Sequence, residues 1–207
     1  KQKSPGEFRV LFFGHGCSRK GLQGLLEVLL SRNWPSSMHM VIAGEGVLTG
    51  VSETYLKAVQ ARLPVRILNR YLRPEEVADL FSTTDVLLMP YRKLCKSPLT
   101  DLAAAFRVPV LRSNRVQGAG FRDGVHGMTY PYEQPDRLAG MLHSFASDPE
   151  ASLSSLRYAL KHEKSAEKSL QQLSIGHEKL YEELLTADYP IAAGVVASAV
   201  SPSSQLE

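Results

Sequence analysis

Two cations, Arg19 and Lys20, end the segment "GHGCSRKG" (Gly14 to Gly21), which follows the apolar run "RVLFF" and precedes "LQGLLEVLL". A glycine-rich turn between a strand and a helix leaves backbone N–H groups free, and these attract anions, phosphates above all. The dinucleotide fingerprint G-x-G-x-x-G needs a third glycine where this chain has Arg19. The mononucleotide P-loop needs a glycine directly before its lysine, and here Arg19 precedes Lys20. What remains is a short turn that places two cations at a helix N-terminus, where dipole and donors favour a phosphate. The competing reading is a pair of solvated loop cations. Three further loops carry compatible chemistry: "GEG" (Gly44 to Gly46), "PYRKLCKSP" (Pro90 to Pro98) and "NRVQGAGFRDGVHG" (Asn114 to Gly127).

The elements that must position these loops are legible as five short apolar runs. They are "FRVLFF" (Phe8 to Phe13), "MHMVIAG" (Met38 to Gly44), "VRIL" (Val65 to Leu68), "DVLLMP" (Asp85 to Pro90) and "VPVLRS" (Val108 to Ser113). Continuous apolar character marks strands buried on both faces, as in a parallel sheet. Between them Leu22, Leu25, Leu26 and Leu29 follow helical spacing, as do Leu56, Val59 and Leu63, and then Val77, Leu80 and Phe81. "LTDLAAAF" (Leu99 to Phe106) supplies a fourth helix. This alternation predicts an α/β fold, a Rossmann-like doubly wound parallel sheet, in which ligands bind at the C-terminal strand ends. After about residue 134 the pattern becomes helix upon helix, through "QPDRLAGMLHSFA", "DPEASLSSLRYALKHEKSAEKSLQQL" and "SIGHEKLYEELL". The expected organisation is a linker over 1–7, one domain over 8–186, and a disordered tail over 187–207.

Bulk properties narrow the function. The 207 residues are 43% hydrophobic and 22% charged, ordinary for a globular domain. A formal charge of +3 is too small for a nucleic-acid binder and suits small anionic ligands or an acidic membrane surface. Cys17 and Cys95 make no disulfide scaffold, so a reducing cytoplasm is expected. His15, Cys17 and Cys95 could approach one another, but a zinc site needs a fourth ligand, and no metal is expected. No apolar stretch approaches the roughly 20 residues of a membrane span, and "KQKSPGE" does not read as a signal peptide.

The ordered set "FFGHGCSRKGLQGLLEVL … MHMVIAGEG … VRILNRYLRPEEVADLFSTTDVLLMPYRK … SPLTDLAAAFRVPVLRS … FRDGVHGMTYPYEQPDRLAGML" resembles the C-terminal half of a GT-B glycosyltransferase. The resemblance is to the large retaining family called group 1 or family 4, and covers roughly Phe8 to Tyr181. The turn itself is most similar to the lipopolysaccharide-core hexosyltransferase branch. The resemblance implies a domain that binds a nucleotide-diphospho-sugar donor, UDP-, GDP- or ADP-linked, with no other cofactor. An N-terminal half would bind the acceptor, and peripheral association with the inner face of a membrane would follow from that half. Hexose transfer to a glycan or lipopolysaccharide-like acceptor is the implied reaction, and this half alone is not expected to perform it.

Residue by residue, Lys20 would contact the diphosphate, with Arg19 assisting through its forked donors and Gly16 and His15 beside them. His15 stands where the family has an arginine. Backbone N–H groups of Ser97, Leu99 and Thr100, around Pro98, would face the distal phosphate. Leu68 and Asn69 would meet the base through backbone atoms, although Leu68 also reads as plain core. Asp101 would accept from the ribose hydroxyls, or serve only as a first-turn acid that suits the helix dipole. Lys93, or Leu94 if the loop is one residue shorter, occupies the position of the family's sugar-reading glutamate. That departure, with His15, supports a second reading: a non-catalytic nucleotide-sugar-binding or interaction module on the same scaffold.

Overall fold

Strand β1 (Phe8–Phe13) is buried along nearly its whole length, because both of its faces are covered. Its residues alternate between two cores. Phe8, Val10 and Phe12 face one side, where Leu25, Leu26, Leu142 and Phe145 pack, and Leu11 faces the other, with Leu80, Phe81 and Ala103. The same period of two runs through β2 (Met38–Ala43) and β4 (Val86–Met89), as successive side chains of a strand must point to opposite faces. Apolar residues at every position are thus the signature of a central strand.

The computed structural model describes residues 3–163, position 119 excepted. Strands β3 (Val65–Leu68), β5 (Cys95–Lys96), β6 (Val110–Ser113), β7 (Val116–Gln117) and β8 (Gly127–Tyr130) complete the set. Six of these form one sheet in the order β3-β2-β1-β4-β6-β8, and β5 pairs with β7 apart from it. Every pair is parallel. Helices α1 (Leu22–Leu30), α2 (Glu53–Gln60) and α5 (Pro135–Ser147) cover one face. Helices α3 (Pro74–Ser82) and α4 (Leu99–Ala105) cover the other, and α6 (Pro149–His162) packs on α5.

The five expected strands are present, trimmed by a residue or two at Gly44, Asp85, Pro90, Val108 and Pro109. The sequence reading missed the sixth strand of the sheet, β8, and the β5–β7 pair. The final expected helix, near 175–185, the domain limit at 186 and the tail over 187–207 lie outside the described residues.

At the N-terminal end of the strands, buried Asp85 joins three parts of the chain. Its carboxylate accepts from the Arg9 N–H at 2.7 Å, from Lys3 at 2.5 Å and from the Arg157 guanidinium of α6 at 3.0 Å. The Arg9 guanidinium also donates to Glu7 and Thr83, each at 2.7 Å. Removing one member of such a network strands the others. We expect Asp85→Ala to cost ~3 kcal/mol, a fall in Tm of roughly 6–12 °C, while ligand binding at the far end of the sheet is unchanged. A calorimetric scan of variant against parent checks this.

Candidate functional site

Strand order reverses between β1 and β4, because the chain winds outward from β1 in one direction and then returns past it through α3 to the other side. Loops leaving the two strands diverge there, and the crevice between them is where such sheets bind ligands. The 14–21 loop follows β1 and the 90–98 loop follows β4. They are tied together by the Arg92 N–H, which donates to the Arg19 carbonyl at 2.9 Å.

Glycine is required in this crevice by close backbone approach. The Gly14 N–H donates to Ala43 and the Gly16 N–H to Glu45, each at 2.9 Å, so the loop after β1 lies directly on the loop after β2. A Cβ on Gly16 would collide with the Gly46 carbonyl, and one on Gly44 with the Gly14 backbone. Gly21 adopts φ 77° with its Cα against the Pro90 carbonyl. That left-handed residue interrupts the helix. Ser18–Lys20 form a separate turn of 3-10 helix, and α1 starts only at Leu22. Arg19 and Lys20 end that turn and directly precede Gly21, the N-cap of α1, so the two cations adjoin the N-terminus of α1 from a turn of their own.

The Lys20 ammonium folds back over Gly14, where a side chain at that glycine would collide with it, and the Leu99 side chain lies nearby. It is half-buried and makes no ion pair among the described residues. Burial pushes its pKa below the ordinary lysine value, the proximity of Cys17 opposes this, and repulsion from Arg19 adds to it. An unpaired, partly desolvated cation in a cradle of backbone is chemically a site for an anion. Arg19 is exposed, with the Cys17 and Cys95 side chains near its guanidinium. His15 does not join them: it is 75% exposed and sits 3.9 Å from Glu45. Among the described residues no group of three or more His, Cys, Asp or Glu could hold a metal ion.

On the β4 side, buried Tyr91 anchors the loop. Its hydroxyl lies 3.2 Å from the Ser97 hydroxyl, and its carbonyl accepts from Ser113 at 2.7 Å. The Pro98 carbonyl accepts from the N–H groups of Asp101 (3.2 Å) and Leu102 (3.1 Å), so those of Leu99 and Thr100 precede the helical ladder. Leu99 N–H makes a long bond to Ser97 Oγ, 3.4 Å. With seven residues, α4 offers little dipole, so the electrostatic weight of the site rests on Lys20.

Asp101 is half-buried on the first turn of α4, and burial raises its pKa while His126 lowers it. The Leu68 carbonyl already accepts from the N–H groups of Gly44 and Arg70, both at 3.0 Å, which fills both of its lone pairs. Asn69 is exposed beside it. The sequence reading missed Tyr71, 66% exposed two residues beyond Asn69; an aromatic directly after the "ILNR" strand end was the available signal. It also missed Arg112. That guanidinium stacks 3.5 Å above the Phe121 ring and donates to Thr129 at 3.1 Å, which fixes the loop beside α4.

His126 is 6% exposed, and its Nδ1 accepts from the Arg122 N–H at 2.9 Å, so the neutral ring carries its proton on Nε2. Burial lowers its pKa below 6.5, Arg122 and Arg112 add to this, and Asp101 opposes it. The unfolded chain therefore binds this proton first. Stability is full above about pH 6.5 and is lost as pH falls below that value toward the folded-state pKa. We expect thermal melts to show this loss between neutral and mildly acid pH, and His126→Asn to flatten it.

A family model described as glycosyl transferases group 1 matches residues 7–148, well over half of the chain. The chain belongs to this family. Among solved structures, the C-terminal domain of LpcC, a glycosyl transferase group 1 family protein from Francisella tularensis, is similar with a TM-score of 0.60 at 16% identity. The match covers 81% of this chain and 86% of that one. HepE from Anabaena, solved in complex with UDP-glucose, has a TM-score of 0.62 at 16% identity, over 87% of this chain and 49% of its own. WaaG, a glycosyltransferase involved in lipopolysaccharide biosynthesis, has 0.60 at 17%, over 84% and 48%. The chain thus spans about half the length of HepE and WaaG. No curated protein matches it. The fold of this group 1 chain is that of a GT-B C-terminal domain, and no described helix is long and apolar enough to cross a membrane.

Proposed function

We propose that this domain binds the donor of a retaining glycosyltransferase, which moves a hexose from a nucleotide-diphospho-sugar to a glycan or lipopolysaccharide-like acceptor. The observation that carries the reading is the half-buried Lys20 ammonium, without an ion-pair partner among the described residues and cradled by glycine backbone at the point where strand order reverses. Lys20 would neutralise charge on the diphosphate as it departs. A fixed cation in a partly desolvated site stabilises that charge with little reorganisation, often the largest single contribution to rate. Arg19 would assist from the solvent side. Ser97, Leu99 and Thr100 would meet the distal phosphate, Asp101 the ribose, and Asn69 and the exposed Tyr71 ring the base. The acceptor would come with a second half, and the reaction would take place in the cytoplasm, at the inner membrane face where the acceptor is lipid-borne.

Titration calorimetry with UDP, GDP and ADP and their sugar conjugates tests this. The reading expects one nucleotide diphosphate to bind, and its affinity to fall in Asp101→Ala. Failure of all three to bind, with or without an acceptor half supplied in trans, would sink it. The second reading, a non-catalytic module, is favoured by exposed His15 and by Lys93; it retains nucleotide binding and gives no transfer when both halves are combined.

A further inference from the structure

The mouth of the site carries more positive charge than a diphosphate uses. Arg19 and Lys20 come from the loop after β1, and Arg92, Lys93 and Lys96 from the loop after β4. Neither the 14–21 segment nor the 86–100 segment contains an acid. Arg19, Arg92, Lys93 and Lys96 are all exposed, and none has an ion-pair partner among the described residues. Elsewhere many cations are paired, Lys57 with Glu53, Arg70 and Arg73 with Glu76, Arg115 with Glu133, and Arg157 with Asp85 and Glu150. Those that are not, such as Arg32, Arg66, Arg107 and Arg137, are spread along the chain rather than grouped in adjoining loops. Nearby acids are turned to other partners, Glu45 toward His15 and Asp101 toward His126.

Exposed like charges on adjoining loops repel, weakly through salt and water, and an anion that bridges them relieves the repulsion. A donor with a neutral sugar brings one charge on each phosphate, which Lys20 and Arg19 already balance. The Arg92–Lys96 stretch is then left uncompensated. It is also the segment directly ahead of Ser97–Thr100, so on the donor-site reading the group linked to the distal phosphate would lie against it.

We propose, resting on the donor-site reading above, that Arg92, Lys93 and Lys96 bind a second anionic group, a carboxylate on the transferred sugar. The donor is then a nucleotide-diphospho-uronate. A phosphate on the acceptor would present the same chemistry from the other side of the bond, and the test separates the two.

Calorimetry on the full 207-residue chain would compare matched pairs for the base that binds: UDP-glucose with UDP-glucuronate, or GDP-mannose with GDP-mannuronate. The uronate should bind about tenfold tighter or more, the scale of one charge-assisted contact. The triple variant Arg92→Gln, Lys93→Gln, Lys96→Gln should erase that preference while leaving UDP or GDP affinity within about threefold. Equal affinity within the pair, with the nucleotide itself bound, overturns the inference and leaves the donor site standing. So does a preference seen only for glucose 6-phosphate over glucose in the nucleotide-bound protein, which would assign the cations to the acceptor. A triple variant that weakens every ligand equally also overturns it, since the charges then act as diffuse attraction. No nucleotide binding at all removes the donor site and the inference together.

Discussion

Lys20→Met is expected to weaken nucleotide diphosphate binding by roughly 10- to 150-fold, the loss of one or two hydrogen bonds to a charged partner. The same variant should be no less stable than the parent, and this combination separates a ligand-binding lysine from a structural one. The ammonium is half-buried with no ion-pair partner among the described residues, and burial lowers its pKa. The unfolded chain holds the proton more tightly, so the charged lysine costs stability at neutral pH, and the cost is relieved as pH rises from the folded-state pKa to the ordinary lysine value. Methionine keeps the aliphatic packing beside Leu99 and removes the charge. Calorimetry for affinity and a thermal melt for stability make the check. Unchanged affinity would remove Lys20 from the site, and a large fall in Tm would make it a structural residue.

Gly44→Ala should destabilise the domain by ~3 kcal/mol or more, a drop in Tm of about 6–12 °C, and abolish nucleotide binding where the protein still folds. Gly44 has φ 137°, outside the range of L side chains, and its Cα lies on the Gly14 backbone. A methyl group there must separate the loops after β1 and β2, and with them the cradle under Lys20. Gly46→Ala is the matched control. It too has a positive φ, 61°, but its added Cβ would meet only the Thr49 hydroxyl, at 3.3 Å. Its cost should be ~1–2 kcal/mol. If the two variants melt together, the backbone contact between the loops is not what Gly44 protects.

The order of elements was legible because central strands of a parallel sheet are apolar at every position. Runs such as "RVLFF" and "MVIA" could hardly belong anywhere else. Strand β8 escaped because "GMTY" sits at the sheet edge, with Met128 exposed and Thr129 half-buried, and so lacks that signature. The β5–β7 pair escaped because two residues on each strand carry no period, and their partnership spans about twenty positions of chain. Tyr71 and the Arg92–Lys96 cations were visible as letters. Their meaning depended on exposure and on the absence of partners, which are properties of the folded surface.

The sequence alone determined the class of fold, the loops that meet at the strand ends, and the family, because all three follow from local pattern and motif order. Tertiary structure decided how "GHGCSRKG" is used. Gly21 turns left-handed against the Pro90 carbonyl, which sets Lys20 in a turn of its own ahead of α1, and the lysine folds back over Gly14. Both contacts join segments that the chain separates, or depend on which side of a turn a side chain falls. Local propensity cannot encode either, since the energy that selects them comes from packing the loops after β1, β2 and β4 into one crevice.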